Sequence, residues 1–574
     1  MADSNDGQDH LNGHSGFILA VFCVVSVFVI WPVKIPLLKP IQRPLLRFLQ
    51  KTRIIGHRET EALSNRSLYF SLSLLTAPLI GVILLLATTT INGSTIRLGI
   101  VGDETIKPYD VLVLFVSLAY IAIALDGTGA LEAIAFYVSK RGGSSGILLF
   151  TYLYAFFLLT ACIVGNDPLI LSGTPFLAYL TYHTGLEPSA WVFSEFMAAN
   201  TASAVLVSSN PTNILITGSF GLNFLTGFTK WTILPSLIPA ALNYPVILAM
   251  FWNRIPKTIT PLTEDPWSKL RDRMGAIFLS TLLLVTVAVL VGTSFVPAHA
   301  VEVWMVTAPA GILGFLWDLG SDWFRPHQKK QNLIRRESTD HVAEMQRVSR
   351  TESNTSQRVP VQSPQLEKPP PSHEPASSPD GKSTEPKSEK TLLSLFRWLG
   401  RRFPATSRTI QRLPIPLLPF AMCEFILVRG LAQRGWISVF ASGFANACTT
   451  PARTVFFMGF VSAAFLCPLA GTNIGATIIL VEILRDSKFS QSEAVLGDER
   501  VLLGAIYAVA MGSNIGAFSY TFAGSLAGLL WRGLLSDKGI HISQLKFAMV
   551  NAIPLLMQIT VSSAIILGQL YWFA

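Results

Sequence analysis

The feature that most limits how this chain folds is a series of long apolar runs without a single Asp, Glu, Lys or Arg. The runs cover residues 16–32, 67–91, 142–166, 196–229, 231–253, 274–301, 454–481, 501–531 and 547–574. Most of them exceed the roughly 20 apolar residues with which a helix crosses a bilayer. Charged side chains make up only 14% of the chain, against about 25% in soluble domains. These features exclude an ordinary soluble enzyme and predict an all-α polytopic membrane protein with about 10–12 transmembrane helices.

The net charge of +9 does not indicate a nucleic-acid-binding protein, because its distribution is uneven. Most of the basic excess lies in residues 325–412 and 34–66, beside apolar runs. Such clustering is typical of the cytosolic loops of membrane proteins. The five cysteines lack the paired spacing of a metal site. We therefore expect the lipid bilayer as a partner, and neither nucleic acid nor a bound metal. The oligomeric state stays open, with a homodimer among the alternatives.

The apolar runs and the charged blocks between them divide the chain into five segments. We expect an N-terminal two-helix segment with a basic cytosolic loop at 1–107, a first transporter repeat at 108–253, a connecting loop and helical hairpin at 254–323, a disordered basic cytosolic linker at 324–412, and a second repeat at 413–574. The linker is rich in Ser, Pro, Lys and Glu and cannot bury enough apolar surface to order itself. Within it, 391–403 is interpreted as a helix on the inner leaflet, or as plain linker.

Two short motifs suggest modification sites. Asn92 opens an Asn-Gly-Ser glycosylation pattern in a loop that we place outside the membrane. Ser338 follows two arginines and a glutamate, as in substrates of basophilic kinases. With the long linker, these motifs favour a eukaryotic plasma membrane, or a vacuolar or other endomembrane.

The two halves of the chain repeat the same order of polar breaks. In the first half, Gly165-Asn166-Asp167 precedes a second break that runs from Asn200 to Asn213. In the second half, Thr472-Asn473 precedes a break that runs from Asn514 to Ser525. The charge rule places the start of the first repeat outside and the start of the second inside, which predicts an inverted repeat, typical of secondary transporters.

Polar breaks inside apolar segments indicate a binding site. A helix break frees backbone groups that lipid cannot satisfy, so it survives only against protein or a water-filled cavity. The new helix N-terminus suits an anion or a polar oxygen, and Asn, Ser and Thr offer uncharged donors and acceptors. The alternative is that small residues merely let helices pack closely. The predicted substrate-binding residues are Gly165, Asn166, Asp167, Asn200, Ser209, Asn210, Thr212, Asn213, Thr472, Asn473, Asn514, Gly524 and Ser525.

Acidic residues within apolar spans are the candidates for ion coupling, because a carboxyl at membrane depth is costly. They are Asp167, Glu195, Glu424 and Glu482. The alternative for each is a carboxylate paired within the bundle or one that reaches an interface. The coupling ion would be H⁺ or Na⁺, and no other cofactor is expected.

The segments 199–216 and 512–531 carry a resemblance to a known superfamily. The stretch from Gly512 to Trp531 resembles the arsenite-pump membrane subunit ArsB, and 199–216 is similar to the Ser-Asn and Pro-Asn breaks of the pink-eyed-dilution protein and the dicarboxylate carriers. Altogether the chain resembles the ion-transporter superfamily, which also includes the NhaD sodium/proton antiporters and the citrate carriers.

This resemblance implies re-entrant hairpins at 165–167 and 472–474 and unwound helices near 209–213 and 523–525. In the dicarboxylate carriers the hairpin tips read Ser-Asn-Thr and bind sodium and a carboxylate. Here the tips read Gly-Asn-Asp and Thr-Asn-Ile, and the departure disfavours sodium coupling and a di- or tricarboxylate. ArsB's nucleotide-binding partner is not encoded, since no Gly-x-x-x-x-Gly-Lys-Ser/Thr loop occurs.

We therefore expect a secondary active transporter of a small anion or metalloid oxyacid, of the arsenite, antimonite or silicic-acid type, with proton-coupled efflux. The alternatives are a citrate/dicarboxylate or sodium/proton-coupled carrier and, in another class, a membrane scaffold or sensor that retains a transporter fold. An enzyme is not expected, because His183 and His299 lie far from catalytic partners in sequence and no hydrolase motif occurs.

Overall fold

The computed structural model describes residues 11–102, 107–260, 264–293, 303–324 and 391–573. In these residues, ten helices are long and apolar enough to cross a membrane. They are Gly13–Ile30, Pro108–Gly127, Gly146–Val164, Phe224–Met250, Arg273–Thr293, Val303–Phe324, Pro404–Gln433, Pro451–Leu469, Glu499–Phe518 and Gln544–Phe573. The prediction of an all-α polytopic membrane protein is confirmed.

The N-terminal segment contains more elements than the two predicted helices. They are α1 (Gly13–Ile30), β1 (Val33–Pro36), α2 (Lys39–Lys51), α3 (His57–Ser64), β2 (Tyr69–Leu72), α4 (Thr76–Ala87) and α5 (Gly93–Ile100). The strands β1 and β2 pair antiparallel and form the two-stranded sheet of the described chain. Helix α2 is short and strongly amphipathic, so it lacks the uniformly apolar surface of a spanning helix.

The next helices cover the first predicted repeat and the connecting hairpin. They are α6 (Pro108–Gly127), α7 (Ala130–Arg141), α8 (Gly146–Val164), α9 (Asn166–Thr184), α10 (Pro188–Ala202), α11 (Pro211–Ser219), α12 (Lys230–Met250), α13 (Arg273–Thr293) and α14 (Val303–Phe324). A π-helical turn at Phe224–Thr229 leads into α12. Helix α10 is only 15 residues long and ends where the sequence turns polar.

The last helices begin inside the segment predicted to be a disordered linker. They are α15 (Leu392–Arg402), α16 (Pro404–Arg412), α17 (Leu417–Gln433), α18 (Trp436–Ala447), α19 (Pro451–Leu469, with a π-helical stretch at Val461–Leu466), α20 (Asn473–Arg485), α21 (Ser487–Ser490), α22 (Glu493–Gly497), α23 (Glu499–Ile515), α24 (Leu526–Asp537) and α25 (Gln544–Phe573). The helix interpretation of 391–403 agrees with α15, whereas the ordered helix α16 departs from the predicted linker; both helices are amphipathic.

The described residues fall into two compact units. One lies within Met1–Leu38, Ser67–Asp318 and Arg408–Ala574, and it contains both predicted repeats. The other lies within Lys39–Arg66 and Leu319–Ser407. In this second unit, α15 begins where the Leu392 amide donates to the Arg53 carbonyl at 2.9 Å, and Arg397 pairs with Glu59 at 3.0 Å.

A cluster of buried aromatic rings joins the two repeats inside the larger unit. The rings of Phe196 and Trp531 stack with centroids 4.8 Å apart. Phe547 packs against both of them, at 5.9 and 5.8 Å. Because these rings belong to α10, α24 and α25, the cluster holds the ends of the broken segments from both halves in one core.

Candidate functional site

Each half of the larger unit contains a helix that begins within two residues of a glycine with positive φ. Gly165 has a φ of +94°, and a Cβ there would lie 2.7 Å from the Ser209 carbonyl oxygen. Gly471 has a φ of +82°, and the following Thr472 caps α20 by accepting from the Gly475 amide at 3.2 Å. Only glycine adopts this conformation readily. The turns place Asn166 and Asn473 at the first positions of α9 and α20.

The second break of each half follows a matched asparagine. The Asn200 side chain donates to the Phe196 carbonyl at 2.8 Å, one turn back in α10. Asn514 does the same to the Ala510 carbonyl at 2.9 Å in α23. After each helix ends, an extended residue caps a new one.

These caps are Asn210 for α11 and Ser525 for α24, with φ of −150° and −153°. Asn210 accepts from the Thr212 amide at 3.1 Å and its hydroxyl at 2.9 Å. Ser525 accepts from the Gly528 amide at 3.0 Å. Each cap satisfies amides that a broken helix leaves free.

The asparagines form a hydrogen-bonded chain that runs from one half into the other. Asn166 Nδ2 donates to Asn200 Oδ1 at 2.9 Å, and the Ser203 hydroxyl lies 2.8 Å from the Asn200 carbonyl. The same hydroxyl contacts Asn514 Oδ1 at 3.1 Å. Asn473 Nδ2 closes the chain by donating to the Ser513 carbonyl at 3.3 Å.

A second contact ties Asn514 to the first half. Its Nδ2 donates to Asn213 Oδ1 at 2.7 Å, and Asn213 in turn donates to the carbonyls of Ser203 and Leu206 at 2.7 and 2.9 Å. Asn210 Nδ2 also reaches the Ser203 hydroxyl, at 3.3 Å. We call Asn166, Asn200, Ser203, Asn210, Asn213, Asn473, Ser513 and Asn514 the polar seam; all of them are buried.

The packing around the polar seam is reciprocal. Helix α11 of the first half packs on α20 of the second, and α24 of the second half packs on α9 of the first. Within each half, α10 contacts α9 and α23 contacts α20. The two halves thus exchange equivalent contacts. Their opposite orientation in the membrane, and the re-entrant nature of α9 and α20, stay predictions.

Two buried glutamates lie against these helices. Glu195 Oε2 accepts from the Thr174 hydroxyl of α9 at 2.9 Å, whereas its Oε1 has no hydrogen-bond partner in the described part of the chain. Glu424 Oε2 likewise lacks a partner among the described residues, and it lies 3.5 Å from the position of a Cβ at Gly475. Each half therefore carries a carboxyl beside its Asn-initiated helix.

A small cavity of ≈ 40 Å³ opens beside the start of α9. Gly165, Asn166 and Asp167 form its polar end together with Ser208 and Ser209. Most of the remaining wall is apolar and comes from α6, α8 and α11. Since a water molecule needs about 10–15 Å³ on this measure, the cavity admits a few waters.

The structure places the other predicted residues outside the hydrogen-bonded chain. The Ser209 hydroxyl donates to the Cys162 carbonyl at 2.7 Å, and a Cβ at Gly524 would lie 2.6 Å from the Ser519 hydroxyl. Glu482 forms an ion pair with Arg429 at 3.6 Å, the alternative considered for it. Of the modification sites, Asn92 is exposed and caps α5, while Ser338 lies outside the described residues.

Sequence reasoning missed the seam's hydroxyls and a contact from the last helix. Ser203 and Ser513 lie in the recognised motifs but were not selected as site residues. The Thr201 hydroxyl donates to Gln558 Oε1 at 2.6 Å, so α25 reaches the residue next to Asn200. The detectable signal was a glutamine in the middle of a long run without charged residues.

Comparison with known proteins identifies relatives of this chain. The arsenical pump membrane protein of Escherichia coli is 32% identical over 181 residues, which are 30% of this chain and 41% of that protein. The arsenical pump membrane protein of Yersinia enterocolitica is also 32% identical over 181 residues, with the same coverage. The alignments thus span about two fifths of the length of these relatives.

One solved structure that is similar to this chain is that of the YdaH transporter of Alcanivorax borkumensis. It is 14% identical, with a TM-score of 0.48 over 98% of this chain and 99% of that chain. The relatives with named organisms are bacterial, so they give no support to the expected eukaryotic or vacuolar membrane.

The family comparison covers most of the chain. The model of the citrate transporter family matches residues 65–494, which include the helix starts at Asn166 and Asn473 and the glutamates Glu195 and Glu424. Together with the ten apolar helices, this match identifies a multi-pass membrane transporter, and the chain belongs to the citrate transporter family.

Proposed function

We propose that the chain exports a small metalloid oxyacid of the arsenite, antimonite or silicic-acid type, and that protons moving inward drive the export. The observation that carries this proposal is the polar seam, in which six asparagine side chains and two serines from both halves meet without a Lys or Arg. A hydroxylated, uncharged solute needs donors and acceptors, which amides and hydroxyls supply.

The geometry of the seam favours a solute that replaces its internal hydrogen bonds. Asn514 bridges Ser203 and Asn213 with its two polar atoms. A molecule with several hydroxyl groups could donate and accept at the same positions once the halves separate. The cost of opening the seam would then be offset by equivalent bonds to the solute.

Glu195 and Glu424 are the proposed proton carriers. Each is buried and leaves one carboxyl oxygen without a hydrogen-bond partner among the described residues, so that oxygen is available to a proton. A group that alternately binds and releases a proton at membrane depth fits this placement. Asp167, at the polar end of the cavity, is the corresponding group at the first hairpin tip.

Transport of citrate or a dicarboxylate is the second candidate, because the matched family model is named for citrate transport. Against it stands the charge of the site. A tricarboxylate bound at the seam would share the bundle with the carboxyls of Asp167, Glu195 and Glu424, and the eight seam residues include no cationic side chain to compensate the repulsion.

Proteoliposomes containing the full-length protein test the proposal. Arsenite, antimonite, germanic acid (as a silicic-acid analogue) and citrate are each loaded, and efflux is measured with and without an inward proton gradient. We expect gradient-dependent efflux of one or more of the three oxyacids and none of citrate. Asn473→Ala should reduce the rate at least tenfold, since it removes one end of the chain of hydrogen bonds.

A matched control replaces an asparagine outside the seam. Asn223 caps the π-helical turn that leads into α12, and Asn223→Ser keeps a capping oxygen there. Its efflux should equal that of the wild type. Efflux of citrate alone would overturn the metalloid proposal in favour of the second candidate, and oxyacid efflux that ignores the proton gradient would overturn the proposed coupling.

A further inference from the structure

Two amphipathic helices of the second compact unit expose an apolar face each. In α2 the exposed apolar residues are Ile41, Leu45 and Phe48. At 100° per residue they fall within an arc of about 60° around the helix. The neighbouring arc carries the buried Gln42, whose amide donates to the Leu63 carbonyl of α3 at 2.9 Å. Helix α2 is therefore held to α3 by one side and presents its apolar side outward.

Helix α15 shows the same pattern. An arc of about 100° contains four exposed apolar side chains, those of Leu392, Leu395, Phe396 and Leu399. Phe396 is 61% exposed. Arg397 and Arg401 lie on the opposite side of the helix. A short helix with apolar residues on one face and basic residues on the other is typical of segments that lie in the membrane interface.

The charge of the two helices is of one sign. Neither contains an acidic residue, and their seven basic residues are Lys39, Arg43, Arg47, Lys51, Arg397, Arg401 and Arg402. Arg397 pairs with Glu59 at 3.0 Å, and the Arg402 guanidinium lies 4.6 Å from the ring centre of Trp323. The other five are exposed. Because each Lys or Arg close to an anionic membrane strengthens partitioning about fivefold, this charge selects an anionic surface over a neutral one.

The end of α15 lies at the membrane boundary. After Arg402, a single residue separates α15 from the apolar span Pro404–Gln433. That residue, Phe403, stacks on Trp323 with centroids 6.2 Å apart, and Trp323 is the penultimate residue of the span Val303–Phe324. Aromatic residues at the ends of spans are typical of the bilayer interface. The surface nearest to the apolar face of α15 is therefore that of the bilayer.

The start of α15 brings α2 to the same place. The Leu392 amide donates to the Arg53 carbonyl at 2.9 Å, two residues after α2 ends. Since α15 is 11 residues long, it spans only about 16 Å. The end of α2 therefore lies within about 16 Å of the junction with the two spans.

We propose that α2 and α15 together bind the anionic phospholipids of the leaflet at which the spans Val303–Phe324 and Pro404–Gln433 reach water. Their apolar faces enter the boundary between headgroups and acyl chains, and their long basic side chains reach the phosphate groups. The inference goes beyond a single helix on the inner leaflet, because it adds α2 and names the class of lipid. It does not depend on which solute is transported.

Lipid selectivity is measured by electron paramagnetic resonance of spin-labelled phosphatidylserine and phosphatidylcholine in membranes that contain the full-length protein. We expect a preference for phosphatidylserine. The combined substitutions Arg43→Gln, Arg47→Gln and Arg401→Gln should lower this preference by about twofold or more, since they remove three charges and keep polar side chains.

A matched control removes the same charge elsewhere. Lys140, Lys488 and Lys538 are exposed and lie outside α2 and α15. Replacement of all three by Gln should leave the preference for phosphatidylserine close to that of the wild type. An equal fall in both variants would overturn the proposal, because the preference would then reflect net charge alone. Should the arginine variant fail to fold, Arg43→Gln with Arg47→Gln gives the same reading.

Contact with the membrane is tested by photo-crosslinking of the full-length protein in vesicles of phosphatidylcholine and phosphatidylserine. The photoreactive residue p-benzoylphenylalanine replaces Phe48 or Phe396, and lipid adducts are identified by mass spectrometry. We expect lipid adducts at both positions and few at Arg401, on the opposite face of α15. Adducts with a second copy of the chain in place of lipid, or no adducts at all, would overturn the membrane as the partner.

The outcomes separate this inference from the proposed function. Lipid adducts together with a preference that falls only in the arginine variant support lipid binding, even if no oxyacid is transported. Failure of either lipid test leaves the efflux experiment unaffected, because neither test uses a transported solute.

Discussion

Replacement of Asn514 tests the hydrogen bonds between the two halves of the protein. Its side chain contacts Asn213 and Ser203 in the other half, at 2.7 and 3.1 Å. Asn514→Ala removes the side-chain amide that donates to the buried Asn213 Oδ1, whereas Ser203 keeps its bonds to the Asn200 carbonyl and to Asn210. The expected loss therefore comes chiefly from one orphaned acceptor and the lost side-chain volume.

The magnitude follows from these contacts. An unsatisfied buried acceptor costs about 1–3 kcal/mol, whereas double-mutant cycles within membrane bundles average about 0.6 kcal/mol per hydrogen bond, with a maximum near 1.7. We expect Asn514→Ala to lower the free energy of unfolding by about 2 kcal/mol. The coupling energy between Asn514→Ala and Asn213→Ala should be about 1 kcal/mol, because both remove the same bond.

Equilibrium unfolding in mixed micelles gives the free energy of unfolding of the wild type, the two single variants and the double variant. Asn200→Ala is the matched control for Asn213→Ala, since the contacts of Asn200 lie within the first half. Its coupling to Asn514→Ala should be clearly smaller. Additive effects of Asn514→Ala and Asn213→Ala, within about 0.3 kcal/mol, would refute the view that the polar seam joins the halves.

Three further predictions concern a hairpin turn, a coupling acid and a helix cap. Gly165→Ala should destabilise the protein by about 1–3 kcal/mol in thermal unfolding, because φ is +94° and the new Cβ would lie 2.7 Å from the Ser209 carbonyl oxygen; an unchanged melting temperature contradicts this. Glu195→Gln should leave the melting temperature within a few degrees but remove the pH dependence of efflux, and a normal pH profile would rule out this residue as a proton carrier. Asp498→Ala removes the cap that accepts from the Arg500 amide at 3.0 Å and should cost about 1 kcal/mol at neutral pH. Hydrogen bonds from the Arg500 side chain lower the pKa of Asp498, so the stabilisation is complete above the ordinary carboxyl pKa and is lost as the pH falls through the lowered value; an effect that persists in strong acid argues against the cap.

The fold class could be predicted because lipid leaves few alternatives. In lipid, backbone groups are satisfied within helices or closed barrels, and apolar runs of about 20 or more residues fit helices rather than the shorter strands of a barrel. The ten apolar helices of the described residues confirm the class. The small strands β1 and β2 were not predicted, since Val33–Pro36 and Tyr69–Leu72 are too short for an alternating pattern to be recognised.

The positions of the asparagines were predictable, whereas their pairing was not. Matched breaks indicated that Asn166, Asn200, Asn473 and Asn514 belong to one type of motif. Their spacing in the sequence could not show that Asn514 contacts Asn213 rather than Asn166, because that depends on how the two halves pack. Motifs set local geometry, and packing across the seam decides the partners.

Glu482 and Gln558 also show that contacts between distant segments cannot be predicted from the sequence of one segment. Glu482 was selected as a coupling acid because it is an acidic residue within an apolar span. In the structure it pairs at 3.6 Å with Arg429, which lies on α17, far away in the sequence. Gln558 belongs to no break motif, yet it contacts the residue next to Asn200. Burial and partners in space distinguish these two residues, and neither can be read from a single segment.

The position of a bound solute is the sharpest test of whether the polar seam binds the transported substrate. Antimonite scatters electrons strongly, so a map of the full-length protein in nanodiscs with antimonite should show its position. The account predicts one density between the two halves, within contact distance of Asn166, Asn200 and Asn514, with the bond between Asn514 and Asn213 broken or lengthened. Density at a site remote from the polar seam, in a protein that still transports antimonite, would contradict the account.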